Sequence, residues 1–274
     1  MCKRNHIMLK KISYFSKNKE RAFLAFCNTD EIYGPRMYTI YKAHGITPDT
    51  EFWLEESLNG EVKGVLTRFY GTVYLASSDT EGDFFLPFLK KNPYWAGIEG
   101  KAELVESLTN KLSLTSFESS FAMIHDEETF LHTDGYDIRK SENLRPFFSL
   151  LCACHEGFEE HTNYNIWYED YATRIMSGRT ELWYLYENGT PVACATMNVT
   201  SDRHGVLGSV STLPDYRGRG YGRVISSFVT RRITDLGLTA TLQCHEDSLL
   251  RFYQPLGYRP LCHWGMAERV FRRK

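Results

Sequence analysis

Val210-Ser211-Thr212-Leu213-Pro214-Asp215-Tyr216-Arg217-Gly218-Arg219-Gly220-Tyr221-Gly222, followed directly by Arg223-Val224-Ile225-Ser226-Ser227-Phe228-Val229, is the stretch from which the fold can be read. A β-branched run reads as a strand and ends at Pro214. A turn with three glycines and two arginines follows, and an amphipathic helix begins after it. The first N–H groups of a helix have no partner within it and sit at the positive end of its dipole. A strand, a glycine loop and a helix in that order therefore make an anion site. Gly218, Gly220 and Gly222 carry no β-carbon to keep a pyrophosphate away from the backbone.

Working outward, 274 residues are long for one core and natural for two domains, drawn here at 1–125 and 126–274. Hydrophobic residues at 42% and aromatics at 14% suffice for packed cores. A net charge of −2 gives no general attraction to nucleic acid or anionic lipid. No run approaches the ~20 apolar residues of a membrane span. The basic start Met1-Cys2-Lys3-Arg4 lacks the apolar centre of a secretion signal. Seven scattered cysteines fit reduced thiols, so a cytoplasmic protein is expected. Cys152-Ala153-Cys154-His155 lacks further ligands at metal-binding spacing and reads as core thiols with no metal.

The period along the chain predicts helices at 16–27 and 34–44. Strands then meander through Phe52–Glu56, Glu61–Tyr70 and Thr72–Ala76, turning at Asn59-Gly60, a hairpin signal. A helix at 82–90, a strand at 95–98 and a helix at 101–112 follow. After the charged segment His125–Glu128 the order repeats. A strand at 133–138 precedes helices at 143–155, capped near Ser141, and at 165–177. Strands at 181–187, 191–200 and 205–212 follow, with a second hairpin signal at Asn188-Gly189. The glycine loop and its helix run to about 236, then come a strand at 238–244, a helix at 248–256 and a last strand at 258–271. The two halves share an architecture and little sequence.

Two motifs in the second half carry a family resemblance. Arg217, Gly220 and Gly222 meet an Arg/Gln-x-x-Gly-x-Gly/Ala loop, with Pro214 and Tyr216 upstream. Phe252-Tyr253-Gln254-Pro255-Leu256-Gly257-Tyr258 meets a Leu-Tyr-x-x-x-Gly-Phe element. Residues 133–274 thereby resemble the GNAT acetyltransferase superfamily, whose members move an acyl group from coenzyme A to an amine. The resemblance implies an α/β protein with a mixed, mostly antiparallel sheet flanked by helices, the acyl-CoA N-acyltransferase fold, in two GNAT-like halves. It implies acetyl-CoA as cosubstrate. The backbones of Val210 and Thr212, flanking Ser211, would pair with the pantetheine arm, and the amides of Gly218, Arg219, Gly220, Tyr221, Gly222 and Arg223 would hold the pyrophosphate. Arg217, Arg219 and Arg223 would add charge. Tyr253 takes the place of the general acid that protonates the leaving thiolate, a step open to a phenol within hydrogen-bond reach.

The sequence departs from the family twice. Glu246 stands where the family often has asparagine, and Gly205–Val210 holds no carboxylate to serve as base. A lysine amine with pKa near 10.4 must lose a proton before it attacks, so His245, Glu246 and Asp247 are candidate acceptors of that proton. In the first half, Ser78-Asp79-Thr80-Glu81-Gly82-Asp83 replaces the glycine loop, and three carboxylates would repel a pyrophosphate. That half reads as a degenerate copy without a coenzyme site. The spacing fits neither a Rossmann fingerprint nor a P-loop. The acceptor is expected to be a small-molecule amine, or a peptide N-terminus or lysine, and the protein a monomer or homodimer without nucleic-acid or membrane partners. The aromatics Phe147, Phe148, Trp167, Tyr168 and Tyr171 fall on the helices expected to line the acceptor groove. A reading from another class remains open at this point: a non-catalytic acyl-CoA sensor or scaffold, separated from an enzyme by the absence of thiol release.

Overall fold

The computed structural model describes residues 8–14, 16–30, 32–92, 94–114, 116–127, 130–245 and 247–269. The chain forms two compact units, one comprising the chain through Ala122 together with Cys262 onward, the other Met123–Leu261. No described helix is long and apolar enough to cross a membrane.

The first unit runs β1 (Met8–Lys11), α1 (Lys17–Thr29), α2 (Tyr33–His44), β2 (Thr50–Glu56), β3 (Val62–Phe69), β4 (Thr72–Ser77), α3 (Leu86–Lys91), β5 (Gly97–Lys101), α4 (Ala102–Leu112) and β6 (Glu118–His125), whose last residues pass into the second unit. Strands β1 to β4 pair antiparallel in chain order, and β5 joins β4 in parallel. Residues Trp264–Glu268 then add antiparallel to β5. Alternation along β2 sends Phe52 to one face, where it meets Phe23 and Tyr41 of α1 and α2 at ring distances of 5.4 and 4.8 Å. Trp53 faces the other side, edge-on to Phe88 of α3 at 5.3 Å. Among the buried polar side chains of β2 to β4, which include Thr50 and Thr67, one is an acid. Glu55 is 1% exposed, and its carboxyl lies over Gly64, where a β-carbon would come within 2.5 Å of Oε2. Burial, and then the nearby Asp79, push its acid up to about 8.

The second unit repeats the plan with β7 (Asp137–Ser141), α5 (Leu144–Cys154), α6 (Phe158–His161), α7 (Tyr164–Met176), β8 (Thr180–Glu187), β9 (Thr190–Val199), β10 (His204–Thr212), α8 (Tyr221–Asp235), β11 (Thr239–Cys244), α9 (Asp247–Tyr253) and β12 (Tyr258–Glu268). Strands β7 to β10 are antiparallel neighbours, and β11 joins β10 in parallel. The strand orders thus correspond one for one between the units, each sheet being mixed, mostly antiparallel and flanked by helices. Even side chains recur in register. Lys11 stands opposite Trp53 and binds Glu51, while Lys140 stands opposite Trp183 and binds Glu181 at 3.2 Å.

Several expected boundaries move. The helix expected at 82–90 is only Leu86–Lys91, because Gly82 takes φ +66 against Leu104 and Leu108 and Pro87 sits in the first turn. Asn143, rather than Ser141, caps α5 by accepting from the Arg145 N–H at 3.1 Å. The strand expected at 133–138 is β7, at 137–141. The short strand β1, the helical turn α6 and strand β6 have no counterpart in the sequence reading.

Candidate active site

The site grows from an irregularity in β10. Gly208 pairs with Thr196 and Ser211 with Cys194, so Ser209 and Val210 together face the single residue Ala195. This is a β-bulge, and within it Ser209 takes a left-handed φ of +51. Two hydroxyl contacts hold the bulged segment from the helix side. The Tyr171 hydroxyl lies 3.0 Å from Ser209 Oγ, and His155 Nε2 lies 3.0 Å from Ser211 Oγ. Burial, aided by Arg217, holds the His155 imidazole below its usual range, so it is neutral near pH 7.

On its other side β10 leaves its neighbour. It pairs with β11 only at His204–Val206 against Thr239–Thr241, although β10 continues to Thr212 and β11 to Cys244. Leu213 donates to the Val192 carbonyl at 2.9 Å. By antiparallel alternation the backbone groups of Thr212 then point away from β9, toward the opened gap. The Thr212 carbonyl there accepts from Cys154 Sγ and from Arg217 Nε, each at 3.2 Å. The half-buried Cys154 and the exposed His155 thus dock the end of α5 on β10, a role that a reading as core thiols misses. Among the described residues no group of three or more His, Cys, Asp or Glu stands ready to hold a metal ion.

A single 3-10 turn, Pro214–Tyr216, leads from β10 into the glycine loop. Gly218 and Gly220 take φ of +77 and +84, and a β-carbon on either would meet nothing within 4 Å. Their need for glycine is conformational, and open space lies over both. Gly222 differs: its β-carbon would stand 3.3 Å from Phe252 and from Thr212 Oγ1, so this glycine lets α8 approach its own neighbours. No side chain caps α8, and its first closing bond is Val224 N–H to Gly220 O at 3.1 Å. The amides of Tyr221, Gly222 and Arg223 therefore have no acceptor within the helix. The arginines are partly committed. Arg217 folds back onto Thr212 and Cys154, while Arg219 stacks on Tyr216 at 4.9 Å and pairs with Glu187 at 3.3 Å. Arg223 lies 5.9 Å from the Phe252 ring.

Tyr253 ends α9. It is 7% exposed, with ring neighbours Phe252 at 4.8 Å and Tyr258 at 5.8 Å. Among the described residues its hydroxyl makes no hydrogen bond. Burial, and then the thiol of Cys244 at the end of β11, push its pKa above the ordinary phenol value, so it holds its proton through the physiological range. His245 and Asp247, which follow β11 in the chain, are exposed, and Glu246 lies outside the described residues. Of the aromatics expected along the acceptor groove, Phe147, Phe148, Trp167 and Tyr171 pack on one another at 4.9–5.4 Å, and Tyr168 remains 46% exposed.

The sequence from 144 to 258 matches the model of the acetyltransferase (GNAT) family. These residues form a GNAT-family domain. It spans α5 to the start of β12, and so contains the bulge, the glycine loop and Tyr253. No curated protein sequence matches the chain significantly. Among solved structures, a tandem GNAT protein from the clavulanic acid biosynthesis pathway is 10% identical, with TM-score 0.65 over 98% of this chain and 100% of its own. A GNAT-family acetyltransferase from Colwellia psychrerythraea is 15% identical, with TM-score 0.60 over 96% and 99%. A GCN5-related N-acetyltransferase from Sphaerobacter thermophilus is 13% identical, with TM-score 0.61 over 96% and 95%. At such identities the likeness is one of fold, and it extends over both halves of this chain.

Proposed function

We propose that the GNAT domain is an acetyl-CoA-dependent N-acetyltransferase with one active site, passing the acetyl group directly to a primary amine. The parting of β10 from β11 beside the bulge carries this reading. It offers unpaired strand backbone, at Val210 and Thr212, to an extended amide-bearing arm. The open space over Gly218 and Gly220 and the free amides opening α8 suit a pyrophosphate at the end of that arm. The Thr212 carbonyl already has donors, so the arm would use the Thr212 N–H. Arg223 and the loop amides supply the positive end, with Arg219 shared between the ligand and Glu187.

In the reaction the amine nitrogen bonds to the thioester carbonyl carbon and the C–S bond breaks. Tyr253 gives its proton to the departing sulfur. Burial raises the pKa of a phenol and of a thiol alike, so enclosure does not cancel this transfer. The proton lost by the amine goes, directly or through water, to Glu246, which lies in sequence between β11 and the helix carrying Tyr253. The first unit plays no part in this chemistry. Its α3 has six residues, and Glu81 and Asp83 occupy the corresponding loop, paired with Lys111 at 2.9 and 2.8 Å.

The test is release of free CoA thiol from acetyl-CoA across a broad panel of amines, with acetyl-CoA affinity measured in parallel. Thiol release that depends on an amine supports the enzyme. Tight acetyl-CoA binding without release by any amine would replace it with a sensor or scaffold.

A further inference from the structure

The correspondence between the two units breaks at one helix, and the break leaves a cavity. In the second unit Glu181 is held by Lys140 and by Arg232 of α8, with Nε at 3.1 Å, and the Trp183 N–H donates to the same carboxylate at 3.1 Å. Phe228 of α8 stands edge-on to Trp183 at 4.8 Å, and the helix runs on to Asp235. In the first unit Phe88 stands in the same way against Trp53, but α3 ends at Lys91. The helical turns that bring Arg232 onto Glu181 have no counterpart. Arg68 of β3 takes that place on Glu51 instead, with Nε at 2.9 Å. Both oxygens of Glu51 are then taken by Lys11 and Arg68, and the buried Trp53 N–H is left without an acceptor among the described residues.

The volume left beside the shortened helix is about 1000 Å³ and lies wholly within the first unit. That is the upper end of the range for small-molecule sites, roughly 300–1000 Å³. Its apolar side is built from Leu9, Trp53, Pro87 and Phe88. Its polar side carries Lys11, Arg68 and Lys91 against Glu51 and Asp49.

We infer that this cavity binds an amphipathic monocarboxylate, of the class of medium-chain or arylalkyl acids, with its apolar body along Trp53 and Phe88 and its carboxylate toward Lys91. The charge count selects the head group. Lys11 and Arg68 share one carboxylate, and Lys91 makes no ion pair among the described residues, so three cations face two carboxylates. An ammonium head would add to that excess, and an uncharged one would leave it unbalanced. The cavity lies off the β1–β3 face, on strands and a helix separate from the acyl-transfer site, so this inference stands apart from the proposed reaction.

Calorimetric titration of the full chain with decanoate, in saturating acetyl-CoA to keep the probe out of the other unit, tests it. Decylamine and decanol serve as head-group controls. Decanoate is expected to bind one per chain, at least about tenfold more tightly than either control. Lys91→Glu, at an exposed position where folding is unaffected, should weaken decanoate about tenfold, and Lys91→Arg should retain it. Binding should also change the Trp53 fluorescence, a response lost in Trp53→Phe. The inference is overturned by no saturable binding at millimolar decanoate, by equal affinity for decylamine, or by unchanged affinity in Lys91→Glu.

Discussion

Glu55→Gln should remove most of the pH dependence of stability in the first unit. In the folded protein the Glu55 acid ionises at about 8, against an ordinary 4.5. Burial is the main cause and the charge of Asp79 the second, opposed by the Ser77 hydroxyl and by Lys63. The unfolded chain releases this proton near 4.5, so between 4.5 and 8 the folded state binds more protons and stability falls as pH rises. The contribution is fully present below 4.5 and gone above 8. At 1.36 kcal/mol per unit the whole interval amounts to ~5 kcal/mol, and the part between pH 5.5 and 8.5 to about 3 kcal/mol. Native-state amide exchange of β2, β3 and β4, corrected for intrinsic rates, reads this unit separately from the other. In the wild type, protection there should drop by about two orders of magnitude between pH 5.5 and 8.5. In Glu55→Gln, which keeps the shape over Gly64 without the titration, most of that drop should vanish. Equal losses in the two proteins would show that Glu55 is already ionised in the folded state, and the reasoning from burial would fail.

Other outcomes are equally definite. Tyr253→Phe should lower kcat by about 10²–10⁴ while acetyl-CoA affinity stays unchanged, and unaltered turnover would remove its acid role. Because the Tyr253 pKa is pushed above the ordinary phenol value, kcat/KM should rise as the amine loses its proton and show no fall up to about pH 10. An alkaline limb below that pH, absent in Tyr253→Phe, would contradict the burial argument. Gly220→Asp places a carboxylate in the open space of the loop and forces φ of +84 on a non-glycine residue, so acetyl-CoA binding by calorimetry should be lost with the fold intact. Gly205→Ala would put a β-carbon 2.6 Å from Ile233 Cγ2, costing about 1–3 kcal/mol in urea unfolding. Ile233→Ala removes that Cγ2, so the double variant should lose less than the sum of the two single losses, and strict additivity would refute the clash.

The order of elements in both halves was legible because their signals are local. Asn188-Gly189 reads as a tight hairpin, and both residues take positive φ, +50 and +79. The glycine loop announces itself through residues that only such a turn accommodates. What escaped the sequence depends on distant partners. Met8–Lys11 has little pattern of its own and becomes a strand only because β2 offers it an edge. Gly82 looks like the start of a helix until α4 is placed against it. The bulge at Ser209 has no local mark, since nothing in the sequence around this serine calls for φ +51; it follows from the pairing of β9 with β10. Likewise Cys154-His155 read as part of a core-thiol cluster, whereas its partners, Thr212 and Ser211, lie more than fifty residues away. The role of Gly222 was half legible: the need for glycine was plain, but the reason is Phe252 and Thr212.

The path of the last strand has a consequence for how the molecule is made. Trp264–Glu268 borders β5, about 160 residues earlier in the chain. A ribosome that has finished everything up to Ala122 has not yet made a complete first unit. Until the final strand emerges, β5 keeps a bare row of backbone donors and acceptors, the kind of edge at which chains pair with the wrong neighbour. The GNAT domain, whose strands are nearly contiguous in sequence, has no comparable wait. Synthesis order and completion order are therefore reversed: the half that leaves the ribosome first is the half that closes last.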